Sequence, residues 1–304
     1  MSFLNKYWIA CVLTLGAALS PDSAIRAQSG ASDSSSTPHD SSASHHGPIY
    51  HVNFWVSTPI ILAGGIGGLV WVGHPKSNIT DAQLSALSQN NVPSFDRISL
   101  HQNIALVPTW DVYAHIGQIV GAAMPLVILL DGDIRPDWLN VITIGLEVNM
   151  VTLGIYSLSP MGPNFIDRYR PQVYYSHQDA AAHGLNQNDG FNKSSFYSGH
   201  TASVAASSFF LAKVYSDYHP DANKYLVYGA ASIPPLLMGY IRFMTLDHFP
   251  SDIAVGFAVG TLCGILIPEL HRIGDKNLSM GVYSSPTGGT GLKLQWTSPV
   301  LASK

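Results

Sequence analysis

The sequence predicts an all-α fold, a six-helix bundle embedded in a membrane, with a short C-terminal tail that can form β structure. Charged residues make up 11% of the 304 residues, and the mean hydropathy is +0.17. Soluble proteins carry roughly 25% charged residues, more than twice this fraction. The low charge content is typical of a protein whose surface exposes apolar side chains. Six apolar segments approach or reach the length that crosses a bilayer. They run over 52–72, 110–130, 138–158, 198–215, 225–241 and 253–270.

The connections between these segments predict how they are arranged. Segments 110–130 and 138–158 are joined by a tight turn at 131–133, which favours an antiparallel helix pair. Glu147, in the middle of the second of these, is a candidate for contact with a buried site, and the alternative is an interior hydrogen bond. In the tail, a Gly-rich turn at 287–291 precedes alternating residues at 292–296, which fits a short strand or hairpin arm. A frayed tail is an equal alternative.

The N-terminus has the features of a secretory signal. Lys6 precedes an apolar run at 8–19, and Ala27 ends a plausible cleavage site, although an uncleaved anchor is the alternative. The Ser- and His-rich residues that follow have little to bury, which predicts a disordered linker. The predicted parts are a signal peptide at 1–27, a linker at 28–50, a helical domain at 51–271 and a tail at 272–304.

Charge and cysteine content exclude several classes of function. The net charge of −4 has no basic excess, so the sequence carries no electrostatic signature of nucleic-acid binding. Two cysteines, Cys11 and Cys263, predict neither a disulfide framework nor a cysteine metal site. The sequence has no convincing spacing of His, Asp and Glu ligands, so we predict no metal and no cofactor.

The most informative motif is Ser198-Gly199-His200, where a loop turns into an apolar helix. Ser198 is a suitable N-cap residue, and Gly199 permits a close approach to the backbone. The first turn of a helix presents unpaired N–H groups and the positive end of the helix dipole, so it attracts an anion. A histidine at this point, His200, is suited to proton transfer with that anion.

Two further motifs supply cations and a second histidine. Arg170-Pro171 lies upstream, and Arg242 lies downstream, six residues before His248 and ten before Asp252. A guanidinium group matches the geometry of phosphate oxygens. A histidine near a carboxylate is typical of an oriented nucleophile or base. Together these residues predict a site of phosphoryl transfer.

With these motifs, the sequence resembles the type 2 phosphatidic acid phosphatase superfamily, which includes bacterial class A acid phosphatases and vanadium haloperoxidases. The family pattern is Lys, six residues, Arg-Pro; then Pro-Ser-Gly-His; then Ser-Arg, five residues, His, three residues, Asp. Three positions depart from it: Pro163 stands in place of Lys, Tyr197 in place of Pro and Ile241 in place of Ser.

The resemblance implies a role for each matching residue. His248 is the expected nucleophile, oriented by Asp252, and His200 is the expected general acid. The phosphate oxygens are expected to bind residues of all three motifs: Arg170, Ser198, Gly199 and Arg242. We expect Arg168 to replace the missing Lys, because side chains two apart share a face in extended backbone.

The implied activity is hydrolysis of a lipid phosphate monoester or pyrophosphate through a phosphohistidine intermediate, without a metal. The implied location is a bacterial cell membrane crossed several times, with the site facing the periplasm. A cleaved signal followed by six spans would place Arg170 and Ser198 on the opposite side, so one of these two predictions has to give way. The alternatives are a secreted, soluble, non-specific acid phosphatase and a non-catalytic binder of anionic lipid. Phosphatidate, phosphatidylglycerophosphate, lipid A and undecaprenyl pyrophosphate all remain open as substrates, and the oligomeric state is open too.

Overall fold

A computed structural model describes residues 48–72, 76–273, 278–284 and 290–296 of the chain. The predicted signal peptide and most of the predicted linker lie outside the described residues, as does most of the Gly-rich turn of the tail. Residues 46–304 belong to one compact unit.

Six long helices build this unit, so the all-α prediction is confirmed. They are α1 (Phe54–Val72), α3 (Val107–Ala123), α4 (Trp138–Leu158), α6 (Gly199–Tyr218), α7 (Lys224–Met244) and α8 (Pro250–His271). Two short helices lie in the connections, α2 (Asp81–Ser85) and α5 (His177–Ala182). Short 3-10 helices occupy Gln89–Asn91, Arg97–His101, Ile104–Leu106, Met124–Leu130, Arg135–Asp137, Pro171–Tyr174 and Gly190–Lys193.

The tail forms a two-stranded antiparallel hairpin, as the alternating pattern at 292–296 predicts. Strand β1 (Leu278–Ser284) pairs with β2 (Thr290–Trp296), with Leu278 opposite Trp296. The strand prediction is therefore preferred over the frayed alternative.

Helix α6 lies at the centre of the bundle and packs closely against α8. Three glycines of α8 face the backbone of α6 and its N-cap. A Cβ at Gly256 would lie 2.4 Å from the carbonyl oxygen of the N-cap residue Ser198, and a Cβ at Gly260 or Gly264 would lie 2.0 or 2.5 Å from a carbonyl oxygen of α6. Any larger side chain would push the helices apart. The close contact begins at Gly256, near the start of α8, so it holds the first turns of α6 and α8 side by side.

The other end of the bundle is closed by polar contacts. The Tyr50 hydroxyl donates to Asp217 at 2.6 Å, and Lys213 pairs with Asp217 at 2.5 Å. Glu147 pairs with His271, the last residue of α8, at 3.2 Å. The hypothesis that Glu147 contacts the site is therefore wrong, since a partner at the far end of α8 holds this carboxylate.

Of the helical segments in the described part of the chain, three are long and apolar enough to cross a membrane. They are Ile104–Leu130, Arg135–Leu158 and Pro250–His271, and a shorter apolar helix covers Phe54–Gly68. The predicted spans at 198–215 and 225–241 are helical but fall outside this group. Helix α6 tolerates its many serines and Lys213 because protein surrounds it, and an all-round buried helix need not present an apolar surface to lipid.

Candidate active site

The site predicted from the three motifs lies where four helix ends meet. Helices α4 and α7 end here, and α6 and α8 begin here. The backbone N–H of Ser198, before α6, donates to the carbonyl oxygen of Asp252, in the first turn of α8, at 3.1 Å. This bond joins the second motif to the third, so residues more than fifty positions apart share one corner of the bundle.

Arg170 and Arg242 converge on a single carboxylate, that of Asp247. Arg242 Nη2 lies 2.5 Å from one oxygen, and Arg170 Nη1 donates to the other. Both arginines are buried, with relative exposures of 6% and 4%. The Nε atom of each has no hydrogen-bond partner among the described residues. Two buried guanidinium groups with spare donors form a binding place for an anion, which a carboxylate fills here.

These two arginines keep the Asp247 carboxyl in its ionised form. Burial alone would raise the pKa of the Asp247 carboxyl, but Arg170 and Arg242 outweigh it and hold the pKa well below its ordinary value. Asp247 therefore remains ionised. It directly precedes His248, and the sequence motifs did not single it out.

His248 is fixed in one tautomer. Its Nδ1 lies 2.6 Å from the carbonyl oxygen of Ser195. A carbonyl oxygen only accepts, so Nδ1 carries the proton and Nε2 keeps an unshared electron pair. Burial, with Arg242 and Arg170 nearby, holds the pKa of His248 well below its usual range. The imidazole is therefore neutral, which is the form that can attack phosphorus.

Asp252 orients His248 through Ser195 rather than by a bond to the imidazole Nδ1. One oxygen of its fully buried carboxylate accepts from the Ser195 hydroxyl at 2.6 Å and from the Phe249 N–H at 2.9 Å. Ser195 in turn offers its carbonyl oxygen to His248. The sequence predicted the carboxylate but not its intermediary, because Ser195 lies outside the three motifs.

Arg168 has a different environment from the one that the sequence predicted. Its guanidinium donates to Asp252, to Asp96 at 2.6 Å and to the Ser251 hydroxyl at 2.9 Å, and it lies 4.6 Å from the centroid of the Phe249 ring. Two carboxylates engage it, so it sits beside the nucleophile's support instead of in the arginine pair that holds Asp247. Its contribution to phosphate binding stays a prediction.

Asp96 is a site-supporting residue that sequence reasoning missed. It is 2% exposed, and besides Arg168 it accepts from the Ser251 N–H at 3.0 Å and from the Ser251 hydroxyl at 2.7 Å. It comes from the connection between α2 and α3, more than seventy residues before its partners. Neither spacing nor composition marks this aspartate as different from the others of the chain.

The Ser-Gly-His motif begins α6 as predicted, with two changes of detail. Ser198 occupies the N-cap position, but its hydroxyl bonds to the Thr201 hydroxyl at 2.9 Å instead of capping a backbone N–H. At Gly199 the closely approaching group is the Tyr156 ring, since a Cβ would lie 2.9 Å from it. His200 is half-buried in the first turn of α6.

A strained turn carries Asp247 and His248 into the site. The preceding residue, Leu246, is fully buried and has a φ of 58°, in the left-handed region. That conformation costs a non-glycine residue about 1–2 kcal/mol. Leu246 packs against Ile104 and Val107, and this burial offsets the cost.

The comparison with known protein families matches the part of the chain that holds the site. The family model of the PAP2 superfamily matches residues 138–273. This match is consistent with a member of that superfamily. It runs from α4 to the end of α8 and contains every site residue that the sequence predicted, whereas Asp96 lies outside it. Neither the curated proteins nor the solved structures include a match to the chain. This similarity supports a phosphatase-type function, a phosphate-bearing substrate and association with a membrane.

One group of possible metal ligands occurs in the described part of the chain, away from the PAP2 site. The ligand atoms of Asp131, Asp133 and His219 lie within 4.8 Å of one another. His219 follows the last turn of α6, so about 30 Å of helix separates it from His200. An ion held there could not touch a phosphate at the arginine pair. The predicted metal independence of the reaction therefore remains a prediction.

Proposed function

We propose that this protein is a metal-independent phosphatase that hydrolyses a lipid phosphate monoester or pyrophosphate through a phosphohistidine at His248. The observation that carries the proposal is the convergence of Arg170 and Arg242 on one carboxylate beside a neutral histidine. A carboxylate and a phosphate present similar pairs of oxygens to a guanidinium. The substrate's phosphate takes the place of the Asp247 carboxylate between the two arginines.

In the first step, Nε2 of His248 forms a bond to phosphorus and the bond from phosphorus to the leaving oxygen breaks. His200 gives a proton to that oxygen, so an alcohol or a phosphate departs. In the second step, the oxygen of water forms a bond to phosphorus while the bond from phosphorus to Nε2 of His248 breaks. His200 takes a proton from the water, inorganic phosphate departs and His248 returns to its free form. Arg170 and Arg242 neutralise the equatorial oxygens, where the transition-state charge is spread. These two cations take the role that a metal ion has in other phosphoryl-transfer sites.

The rest of the cradle comes from the start of α6. The N–H groups at Gly199 and His200 and the positive end of the helix dipole face the site, which favours an anion there. Arg168 acts, in this proposal, on the position of Asp252 rather than on the phosphate. The missing Lys of the family pattern is then compensated by the helix start and by the two remaining arginines.

We further propose that the protein lies in a bacterial cell membrane, crosses it several times and faces the periplasm with its site. The three apolar helices support this, and a soluble periplasmic phosphatase is the alternative. Tyr50 pairs with Arg272, at the end of the bundle opposite the site. If α1 crosses the membrane, residue 50 is cytoplasmic and the N-terminal apolar run is not processed as a secretory signal.

Phosphate release by detergent-purified protein tests the proposal. We expect turnover of lipid phosphates that is unchanged by a chelator. His248→Ala should lose several orders of magnitude, as removal of a nucleophile does. His219→Ala, at the far end of α6, is the matched control and should retain turnover. Near-normal release by His248→Ala would contradict the proposal, and release that needs an added divalent metal would contradict its metal-independent form.

A further inference from the structure

Helix α3 carries polar residues on the one face that it turns towards the site. Asp111, His115 and Gln118 are spaced i, i+4 and i+7, so they share a face. They lie in Ile104–Leu130, one of the segments apolar enough to cross a membrane. Polar side chains in such a segment are costly and are usually functional. We call these three residues the polar stripe.

Two residues of the polar stripe contact polar residues across the helix interface. Asp111 Oδ1 lies 3.8 Å from Nη1 of Arg242, and Gln118 Nε2 donates to the Ser203 hydroxyl at 3.1 Å. His115 lies between them on the same face of α3, and Ser203 follows His200 by three residues in α6. The polar stripe therefore borders the side of the site where His200 releases the leaving group.

The free atoms of the polar stripe are hydrogen-bond acceptors. The Asp111 carboxylate is an acceptor only. His115 Nδ1 lies 2.7 Å from the backbone carbonyl of Asp111, so it carries the proton and leaves Nε2 as an acceptor. Gln118 Oε1 is buried and has no hydrogen-bond partner among the described residues. Three acceptors thus follow about 10 Å of helix.

The side chains of the first two residues are accessible to a ligand. Asp111 is 51% exposed and His115 is 39% exposed, whereas Arg242 between them and the phosphate position is 5% exposed. A purely aliphatic leaving group would bury these acceptors without partners, and an unsatisfied buried polar group costs about 1–3 kcal/mol. A leaving group with several donors would satisfy them.

We propose that the polar stripe binds the hydroxyl groups of the alcohol released by the reaction, so that the preferred substrate is the phosphate of a polyhydroxylated alcohol. This inference rests on the proposed function, because that function makes the released alcohol the leaving group. Hydroxyls fit better than an ammonium group because Arg242 already compensates the charge of Asp111, and a second cation would compete with it. Among the lipids left open by the sequence, phosphatidylglycerophosphate and lipid A release alcohols with further free hydroxyls and fit. Phosphatidate, which releases a diacylglycerol, and undecaprenyl pyrophosphate, which releases a lipid phosphate, do not.

Ligand binding separates this inference from the proposed function, because it needs no turnover. The probes are glycerol 3-phosphate, n-propyl phosphate and phosphoethanolamine, which share a phosphate ester but differ in hydroxyl and ammonium groups. Dissociation constants are measured by calorimetry on His248→Ala protein, which cannot turn the ligands over. Thermal unfolding of this variant without ligand confirms that it is folded.

We expect glycerol 3-phosphate to bind about tenfold more tightly than n-propyl phosphate, the scale of one or two satisfied acceptors. Adding Gln118→Leu or His115→Ala should reduce this ratio about three- to tenfold. Adding Ile116→Leu, on the outward face of α3 and 53% exposed, should leave it unchanged. Equal affinity for the two esters, a ratio that survives both stripe substitutions, or tightest binding of phosphoethanolamine would overturn the inference. A glycerol preference in a protein that releases no phosphate would refute only the proposed function.

Discussion

Asp247 occupies the anion position between two arginines, so its replacement should make the site more receptive to phosphate. Asp247→Asn keeps the shape of the side chain and removes its charge. A hydrogen bond to a charged group contributes about 1.5–3 kcal/mol, and a neutral one about 1 kcal/mol. Two bonds are affected, one to each arginine, so an incoming phosphate displaces a partner weaker by about 1–4 kcal/mol.

This difference predicts that inorganic phosphate inhibits Asp247→Asn at a concentration at least about fivefold lower than wild type. Without phosphate, the variant should unfold at a lower temperature, because two buried arginines lose their counter-charge. Added phosphate should raise its unfolding temperature more than that of wild type, since a ligand stabilises the state that it binds. Competitive inhibition and thermal unfolding with a phosphate series measure both effects.

The matched control is Asp133→Asn, an exposed carboxyl at the opposite end of the bundle, which should change neither quantity. If Asp247→Asn binds phosphate as weakly as wild type, or more weakly, the reasoning is refuted. Asp247 would then hold the arginines in position for the substrate instead of occupying the place of its phosphate.

Three further predictions follow from the contacts of the site and the bundle. Arg168→Ala leaves the buried carboxylate of Asp252 without its cation, so it should destabilise the protein by about 3–5 kcal/mol. It should also lower kcat more than it changes KM. Unaltered stability and kcat would exclude a role of Arg168 in supporting Asp252. The pKa of His248 is lower in the folded protein than its unfolded value of about 6.5. The contribution of His248 to the free energy of unfolding is therefore fully present above that pH and is lost as the pH falls below it. Unfolding temperatures of wild type and His248→Asn that fall equally with acid would contradict this. Gly260→Ala places a Cβ against the backbone of α6 and should cost about 1–3 kcal/mol by thermal unfolding, whereas Gly132→Ala, with open space at its Cβ, should cost little.

Part of the charged site could be predicted from the sequence because several of its residues lie close together in the chain. Arg242, His248 and Asp252 lie within eleven residues, and the helix that starts between them fixes how they face one another. Arg170 could be placed from its Arg-Pro motif. Asp247 has a signal in the sequence, because it is an acidic residue directly before the predicted nucleophile.

The remaining partners could not be predicted, since they come from distant segments. Asp96 meets Arg168 and Ser251 through a connection whose path depends on the packed bundle. Sequence reasoning links Arg168 to the phosphate through its position two residues before Arg170. The packed bundle also brings the carboxylates of Asp252 and Asp96 against Arg168, which the sequence does not predict. The helices themselves were predictable, whereas the position of α6 at the centre was not, because hydropathy does not distinguish lipid from protein as the surroundings of a helix.

Trapping the intermediate tests the central claim most directly. Purified protein is mixed with a labelled lipid phosphate or a soluble phosphate ester, quenched within a turnover and digested for mass spectrometry. We predict one phosphoryl group on the imidazole of His248, stable in alkali and lost in acid. With a soluble ester whose leaving group departs without a proton, the phosphohistidine should accumulate when His200 is replaced by Ala, because the first step then proceeds while water lacks its base. Phosphate release that proceeds with no label on His248, or with the label on another residue, would contradict the account.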